Sequence, residues 1–350
     1  MDYKNYVGEI NGGAPVCIGR NAPNKHILMT GISGSGKSRR MAEIEKNIVK
    51  EGGTVIAFDI NGIHTVVDGV EYNYISAQED GLDVEFLDLS LVEQGKETVT
   101  NLVQYVMETI CPKELRGARQ LGVVRNAIKE AIANKGRFSN DMDAISYGLQ
   151  MQDEKIVVGV YNYLCPILDG NIFRRSEKKL EEGKVNIISL QGINPKTQKR
   201  VVEIMLNTLW RKMRIAGNTG KEITLEIDEF QSLDLTGKES PIFEMLTESR
   251  KYGVRLILAT QTLTIFNRRD RAIINQAATK LFFQQSVTDI KEVAEMIEPG
   301  HKEKWILALS RLRIGQAVAV GELEIGGRPI SQPIVTYSKY EEVKGYLKKI

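Results

Sequence analysis

Apolar strand-like runs and amphipathic stretches follow one another along the chain. Residues 5–19 have the pattern of a hairpin, because Asn11-Gly12-Gly13 is a favoured tight-turn sequence between two short apolar segments. A strand at His26–Thr30, a glycine-rich loop, a helix at about Lys37–Lys50 and a strand at Thr54–Asp59 come next. This βαβ pattern predicts a parallel sheet with flanking helices.

The stretch from about residue 95 to residue 180 differs, because its apolar positions recur at helical spacing. The first helical run stops before Pro112 and the second stops before Gly136. The apolar positions are Val99, Leu102, Val103, Val106, Met107 and Ile110 in the first run and Leu121, Val124, Ile128 and Ile132 in the second. We interpret residues 95–180 as a helical insertion in the α/β pattern.

Strand and helix patterns alternate again after the insertion. The predicted elements are strand Val185–Leu190, helix Gln198–Met213, strand Ile223–Ile227, helix Pro241–Arg250, strand Arg255–Ala259, strand Lys280–Gln284, helix Asp289–Ile297, and β-structure at Ala317–Glu324 and Pro333–Tyr337. We therefore expect a short N-terminal β-hairpin, residues 1–24, and one large α/β domain, residues 25–350, that carries the insertion.

Composition and charge narrow the class of protein. A hydrophobic content of 42% and a charged content of 26% are ordinary for a soluble globular chain. The net charge of +2 argues against a wholly basic surface, but it is compatible with a local patch that binds nucleic acid. Three dispersed cysteines argue against a disulfide framework. The polar start and the short apolar runs predict a cytoplasmic protein that does not insert into a membrane.

A complete phosphate-binding motif lies between the predicted strand and helix. Residues 31–38, GISGSGKS, fit G-x-x-x-x-G-K-[ST], in which backbone amides hold phosphates, Lys37 reaches the β/γ oxygens and Ser38 ligates magnesium. A chance match in a chain this long occurs roughly once in a hundred. We expect ATP and Mg²⁺ as cofactors. The predicted ATP-binding residues are Gly31, Ser33, Gly34, Ser35, Gly36, Lys37, Ser38 and Arg39; Arg39 and Arg40 are read as phosphate-side or surface charges.

Polar side chains also follow two further predicted strands. Asp228 and Glu229 end one strand, where the aspartate can hold a magnesium ion and the glutamate can orient and deprotonate water. A solvated acidic turn is the alternative, and the upstream phosphate motif favours the catalytic reading. Asp59 is a rival metal ligand that we otherwise interpret as a strand-end cap or a contact near the nucleotide. Gln261 ends another strand and is a candidate contact to the γ-phosphate or the attacking water.

Two groups of arginines each have a functional and a plain interpretation. Arg250 closes a helix that Ser240-Pro241 begins, so it either complements the helix dipole or serves as an arginine finger to a neighbouring subunit. Arg268, Arg269 and Arg271 cluster in a predicted loop, where they either contact DNA or form a solvated surface, which is the commoner case.

The order of these motifs is typical of one class of phosphate-loop enzymes. The sequence has no LSGGQ-like or NKxD stretch, which sets aside ABC transporter ATPases and GTPases. An Asp-Glu pair far downstream, followed by a strand that ends in Thr-Gln, is typical of the RecA-like, additional-strand class. The chain resembles the HerA–FtsK superfamily of ring ATPases, closest to HerA-like (DUF87-type) DNA translocases and the related ATPases of conjugation systems. The matching stretches are His26–Ser38, Val55–Gly62, Leu225–Gln231 and Ser249–Gln261, with weaker matches at Ile274–Ile297 and Gly315–Gly321.

This resemblance implies a fold, an activity and a set of roles. The fold is an α/β, RecA-like P-loop NTPase with a mostly parallel central sheet, and the activity is ATP-driven threading of double-stranded DNA through a homohexameric ring. Relatives often carry an arginine where this chain has Gln284-Gln285, so one arginine contact is expected to be missing. The implied roles are Walker A for Lys37 and Ser38, Walker B for Asp228 and Glu229, polar sensor for Gln261 and arginine finger for Arg250.

Three functions remain open at this stage. The leading hypothesis is a DNA translocase motor that works with a separately encoded nuclease or effector and, by analogy alone, serves antiphage defence. The second is a soluble conjugation-type coupling ATPase, which requires a membrane-bound docking partner. The third is a nucleotide-gated hexameric scaffold that organises an effector without translocation.

Overall fold

The computed structural model of the protein describes residues 4–152, 155–233, 240–339 and 343–346, the last range as backbone alone. The strands are β1 (Tyr6–Glu9), β2 (Pro15–Ile18), β3 (Ile27–Thr30), β4 (Thr54–Asp59), β5 (Thr65–Val67), β6 (Tyr72–Ser76), β7 (Val185–Ser189), β8 (Ile223–Ile227), β9 (Val254–Thr260), β10 (Thr279–Phe282), β11 (Gln316–Val320), β12 (Leu323–Ile325), β13 (Arg328–Ile330), β14 (Ile334–Tyr337) and β15 (Val343–Tyr346). The helices are α1 (Lys37–Lys50), α2 (Ser90–Glu93), α3 (Val99–Ile110), α4 (Ala118–Asn134), α5 (Asp141–Gln150), α6 (Ile156–Leu168), α7 (Pro195–Ala216), α8 (Pro241–Glu248), α9 (Arg268–Ile274), α10 (Ile290–Ile297) and α11 (Lys302–Ser310).

Thirteen strands form one sheet in the order β13-β12-β2-β1-β14-β11-β10-β3-β9-β8-β4-β7-β6. The pairs from β10 through β3, β9, β8 and β4 to β7 are parallel, and those from β10 outward to β13 are antiparallel. Strand β9 lies between β3, which precedes the phosphate motif, and β8, which precedes the acidic pair. This inserted strand is the one that the RecA-like, additional-strand class predicts, so the predicted fold class is confirmed.

The register of the parallel strands brings their carboxyl ends together. Thr30 of β3 pairs with Thr260 of β9, and Ile227 of β8 pairs with Leu258 of β9. Because parallel strands end at the same edge of a sheet, the segments that follow β3, β8 and β9 emerge side by side. These are the segments that carry the phosphate motif, the acidic pair and Gln261.

Helix α1 forms where the sequence predicts it, for local reasons. Its buried residues Met41, Ile44 and Ile48 recur at the three- and four-residue spacing of one helix face and belong to the core cluster on the sheet. The amides of Gly52 and Gly53 donate to carbonyls of the last helical turn at 2.9 Å each, which ends the helix. A rigid helix therefore follows the phosphate motif directly.

The chain separates into two compact units. The first comprises residues 1–74, 180–189 and 213–350 and contains the parallel strands; the second comprises residues 75–179 and 190–212 and contains α2 to α6. The predicted domains, residues 1–24 and 25–350 with an insertion at about 95–180, stay a prediction. Among the described residues no helix is both long and apolar enough to cross a membrane.

Several predicted elements differ in their bounds from those observed, and the helix predicted at Gln198–Met213 is the longer α7, Pro195–Ala216. The helix predicted at Pro241–Arg250 ends as α8 at Glu248, and a 3-10 turn at Ser249–Tyr252 follows it. The β-structure predicted at Ala317–Glu324 is two strands, β11 and β12, and these strands pair with different neighbours in the sheet. In each case the sequence identified the type of structure, but it did not locate the ends or the break between strands.

Candidate functional site

The loop of residues 31–38 connects β3 to α1 through a tight backbone turn. Gly36 has a φ of 103°, in the left-handed region that favours glycine. A Cβ atom at Gly36 would lie 2.7 Å from the backbone nitrogen of Gly315, and one at Gly31 would lie 2.7 Å from the Cβ atom of Phe283. Both positions therefore require glycine, since larger residues would push neighbouring backbone away from the loop.

The loop encloses two polar groups suited to an anion. The Nζ atom of Lys37 donates to the carbonyls of Gly31 at 2.6 Å and Ile32 at 3.2 Å, so the ammonium lies over the loop itself. Burial lowers the pKa of Lys37, and the carboxylates of Asp228 and Glu229 oppose this shift. The Ser35 hydroxyl is buried and has no hydrogen-bond partner among the described residues, which is typical of a group that binds a ligand.

Ser38 and Asp228 bring two oxygen donors together across the sheet edge. The Ser38 hydroxyl donates to Oδ2 of Asp228 at 3.4 Å. Burial raises the pKa of Asp228, as does the Glu229 carboxylate, while Lys37 and the Ser38 hydrogen bond act in the opposite direction. Magnesium prefers oxygen ligands, so the hydroxyl and carboxylate fit this ion in donor type.

Glu229 has an unusual backbone and a carboxylate held at both oxygens. Its φ of 55° and ψ of 38° lie in the left-handed region, which is uncommon for a residue other than glycine. The Gln261 amide donates to Oε1 at 2.5 Å, and the Gln231 amide donates to Oε2. The segments after β8 and β9 are thus joined through this carboxylate.

The structure brings most of the predicted site residues together. Lys37 and Ser38 lie beside Asp228, whose neighbour Glu229 contacts Gln261. Asp59, the rival metal ligand, caps its own strand end, because its Oδ1 accepts hydrogen bonds from the amides after β4 at 2.9 and 3.1 Å.

Arg250 lies away from this group. It is exposed in the 3-10 turn that precedes β9, and its guanidinium donates to the carbonyl of Pro23 at 3.1 Å, just before β3. Both the 3-10 turn and Pro23 precede the amino ends of parallel strands, β9 and β3, whereas the phosphate loop follows the carboxyl end of β3. Arg250 is therefore at the opposite sheet edge from the phosphate loop of its own chain.

The arginine cluster after Gln261 is helical, so its predicted placement in a loop is wrong. The Asn267 side chain accepts hydrogen bonds from the amides of Arg269 at 2.8 Å and Asp270 at 3.0 Å, and this cap starts α9. Arg271 forms an ion pair with Glu292 and donates to a carbonyl at 2.7 Å. Arg268 and Arg269 are exposed on the first turn.

Arg40 is fully buried, so the expectation of a surface charge is wrong for this residue, and the alternative of a phosphate-side charge stays a prediction. Its guanidinium donates to the carbonyls of Val7 at 2.7 Å and Gly315 at 3.0 Å. The amide of Gly315 in turn donates to the Ser35 carbonyl at 2.9 Å. Arg39 has different contacts from Arg40. Its guanidinium donates to the Lys339 carbonyl at 3.1 Å, and its Nε atom lies 3.7 Å from Oε1 of Glu43. Its role in binding ATP stays a prediction.

Sequence reasoning also missed Gln231 and Gly315 as parts of the site. Gln231 lies two residues after Glu229 and ends the matching stretch Leu225–Gln231, but neither signal identifies its contact. Gly315 begins the weaker matching stretch Gly315–Gly321, but its contact with Ser35 joins segments far apart in the chain, which a local pattern does not predict.

Comparison with known proteins gives the chain a family. A sequence profile described as helicase HerA, central domain (DUF87) matches residues 5–209. The chain is 21% identical over 341 residues to the DNA double-strand break repair helicase HerA of Saccharolobus solfataricus, covering 91% of this chain and 66% of that relative. The chain thus spans about two thirds of the length of the curated relative that it matches.

Solved structures agree on the fold. VirB4 of Thermoanaerobacter pseudethanolicus superposes with a TM-score of 0.69 at 13% identity, covering 98% of both chains. The plasmid coupling protein TrwB in complex with ADP and Mg²⁺ superposes with a TM-score of 0.68 at 14% identity, covering 99% of this chain and 92% of TrwB. The profile match extends over more than half of the chain, and the chain belongs to the family of the helicase HerA central domain.

Proposed function

We propose that this chain is an ATP-hydrolysing motor that assembles as a homohexameric ring and translocates double-stranded DNA in the cytoplasm. The convergence of Lys37, Ser38, Asp228 and Glu229 at one sheet edge carries the proposal. The name of the curated HerA relative, a DNA repair helicase, supports DNA as the substrate. The TrwB complex with ADP and Mg²⁺ supports nucleotide and magnesium as cofactors.

Each polar group at this edge has a role in hydrolysis. The loop amides and the Lys37 ammonium bind the phosphates, since they place donors and positive charge inside the turn. Ser38 and Asp228 would hold a magnesium ion, whose charge would polarise the terminal phosphate. Glu229 orients the attacking water and accepts its proton, and Gln261 positions that carboxylate. Ser35 offers its unpartnered hydroxyl to the nucleotide.

In a ring, Arg250 could act as an arginine finger at the nucleotide site of a neighbouring subunit. Because Arg250 lies at the opposite sheet edge from its own phosphate loop, it would serve as a finger only to the site of a neighbouring subunit. The exposed Arg268 and Arg269 are candidates for contact with DNA phosphates, and Arg271 belongs to the same cluster. A net charge of +2 on the chain is sufficient for DNA binding if only the residues that line the pore of the ring contact the DNA. The proposal includes a separately encoded nuclease or effector with which the motor works, and a role of the motor in antiphage defence.

ATP turnover with and without double-stranded DNA, with the native mass measured in parallel, tests this proposal. We expect a hexamer whose turnover rises with DNA, and a Lys37→Ala variant that loses turnover in both conditions. A hexamer whose turnover ignores DNA would support the scaffold instead. DNA stimulation that requires an added membrane-docking partner would support the conjugation-type coupling ATPase. A monomer without turnover would contradict all three functions.

A further inference from the structure

A second group of potential ligands lies where α1, β8 and the segment after β4 meet. Glu45 of α1, His64 of the segment after β4 and Glu226 of β8 each offer one ligand atom, and these atoms lie within 4.8 Å of one another. The Nε2 atom of His64 is 3.1 Å from Oε1 of Glu45. Three separate segments of the chain therefore converge on one small volume.

The burial of this group leaves individual carboxylate oxygens without a hydrogen bond among the described residues. Glu45 has an exposed fraction of 0% and Glu226 of 2%, so both carboxyl groups are removed from water. Within the described part of the chain, Oε2 of Glu226 makes no hydrogen bond. Buried carboxylates are strongly unfavourable unless they are paired or coordinate a metal. The unpartnered oxygen of Glu226 thus points to a missing cation.

We propose that Glu45, His64 and Glu226 bind one divalent first-row transition-metal cation, at a site distinct from the magnesium site at Ser38 and Asp228. One imidazole nitrogen and two carboxylates are ligands that suit zinc and its neighbours, whereas magnesium prefers oxygen ligands alone. The His64 side chain is 10% exposed, which leaves the site a route to solvent. The Tyr72 ring packs edge-on against the imidazole of His64, with the two ring centroids 6.2 Å apart. This contact restricts the orientation of the imidazole.

The position of the group suggests what the ion does. Glu45 lies seven residues after Ser38, which is two turns along the same face of α1. Glu226 lies within β8, two residues before Asp228, which directly follows the strand. Ser38 with Asp228 and Glu45 with Glu226 are therefore two successive links between α1 and β8. An ion at the second link fixes the helix that follows the phosphate loop against the strand that precedes Glu229.

Metal content of the purified full chain tests the proposal. After chelation and removal of any histidine tag, the protein is dialysed against Zn²⁺ in excess Mg²⁺, and bound zinc is measured by mass spectrometry. We expect one zinc per chain, retained in Asp228→Asn and bound at least about tenfold more weakly in Glu45→Gln and His64→Gln. The retention in Asp228→Asn separates this site from the magnesium site, so failure here leaves the proposed ATPase untouched.

X-ray absorption of the zinc-loaded wild-type chain keeps the test independent of how the variants fold. We expect a first shell with one imidazole and oxygen donors. Sulfur in that shell would assign the zinc to one of the free cysteines and overturn the proposal. The absence of bound zinc, or equal binding by folded Glu45→Gln and wild-type protein, would overturn it as well.

Discussion

Glu229 combines a costly backbone conformation with tight side-chain contacts. A residue other than glycine held at a φ of 55° costs on the order of 1–3 kcal/mol, and it persists only where its surroundings fix it. Here the amides of Gln231 and Gln261 hold the two carboxylate oxygens. Strain of this kind clusters at functional sites, which supports Glu229 as the residue that handles water.

Replacement of Glu229 by glutamine tests that role. The Glu229→Gln variant keeps the size of the side chain and loses the ability to accept a proton. We expect kcat for ATP hydrolysis to fall about 10²–10⁴-fold, with nucleotide binding retained. The measurements are kcat from steady-state ATP turnover and the binding of a fluorescent ATP analogue. Unchanged turnover would show that another group is the base.

His26 predicts a pH dependence of stability. Burial, with help from the Arg255 guanidinium, lowers the pKa of His26 to about 4. The Leu256 amide donates to Nδ1 at 2.9 Å, so the folded protein contains the neutral ring. The unfolded chain binds a proton below a pKa of 6.5, while the folded chain does not. Stability from this residue is therefore complete above about pH 6.5 and is lost as the pH falls towards 4.

We expect the free energy of unfolding to fall by about 3 kcal/mol between about pH 6.5 and pH 4. Urea unfolding of wild type and His26→Gln at several pH values is the measurement. Because the variant has no titrating ring at this position, the difference in stability between the two proteins should shrink as the pH falls. If the stability of wild type and that of His26→Gln changed equally with pH, His26 would not be the origin of the pH dependence.

At the scale of elements, local signals predicted most of the helices and strands around the site. Helix α1 was placed correctly at both ends, since a glycine-rich loop precedes it and a Gly-Gly pair follows it. Helix α9 was missed, although Asn267 with Asp270 three residues on is a helix-start signal. The three-residue strands β5 and β13 carry too few residues for an apolar pattern to identify them.

The packing of α5 on α4 depends on a single glycine. A Cβ atom at Gly148 would lie 2.1 Å from the carbonyl oxygen of Ala127. We expect Gly148→Ala to lower the free energy of unfolding of this helical unit by about 1–3 kcal/mol, because the helices must move apart. Gly122→Ala in α4 is the matched control, since its Cβ meets nothing within 4 Å.

The control should raise stability slightly, by about 0.5–1 kcal/mol, because alanine favours a helix more than glycine does. Thermal unfolding followed by circular dichroism compares both variants with wild type. Equal effects of the two substitutions would contradict close packing at Gly148.

At the scale of the whole molecule, the parallel half of the sheet was predictable and the antiparallel half was not. The βαβ pattern and the polar strand ends indicate parallel neighbours with a shared edge. The pairing of β14 with both β1 and β11 joins residues from the two ends of the chain, and the apolar pattern of a strand does not identify its partner. For the same reason the contacts of Arg40 escaped sequence analysis.

The proposed ring predicts that two inactive variants restore each other. An Arg250→Ala subunit keeps its own Glu229, and a Glu229→Gln subunit keeps its own Arg250. Random mixing should leave about a quarter of the subunit boundaries with both groups intact, because each must come from the appropriate neighbour. We expect ATP turnover of the mixed ring to exceed that of either variant alone.

Lys251→Ala is the control, since Lys251 is a neighbouring cation with a 72% exposed side chain. It should keep wild-type turnover in the same assay. Normal ATP turnover by a ring of Arg250→Ala subunits alone would contradict the role of Arg250 as an arginine finger. So would a mixed ring whose turnover does not exceed that of either variant.

The contact between Gly315 and Ser35 couples nucleotide binding to the antiparallel part of the sheet. Gly315 directly precedes β11, and its amide donates to the Ser35 carbonyl at 2.9 Å. Local opening of β11 would therefore remove one support of the phosphate loop. Bound nucleotide should in turn slow hydrogen exchange of the β11 amides, although that strand does not belong to the phosphate motif.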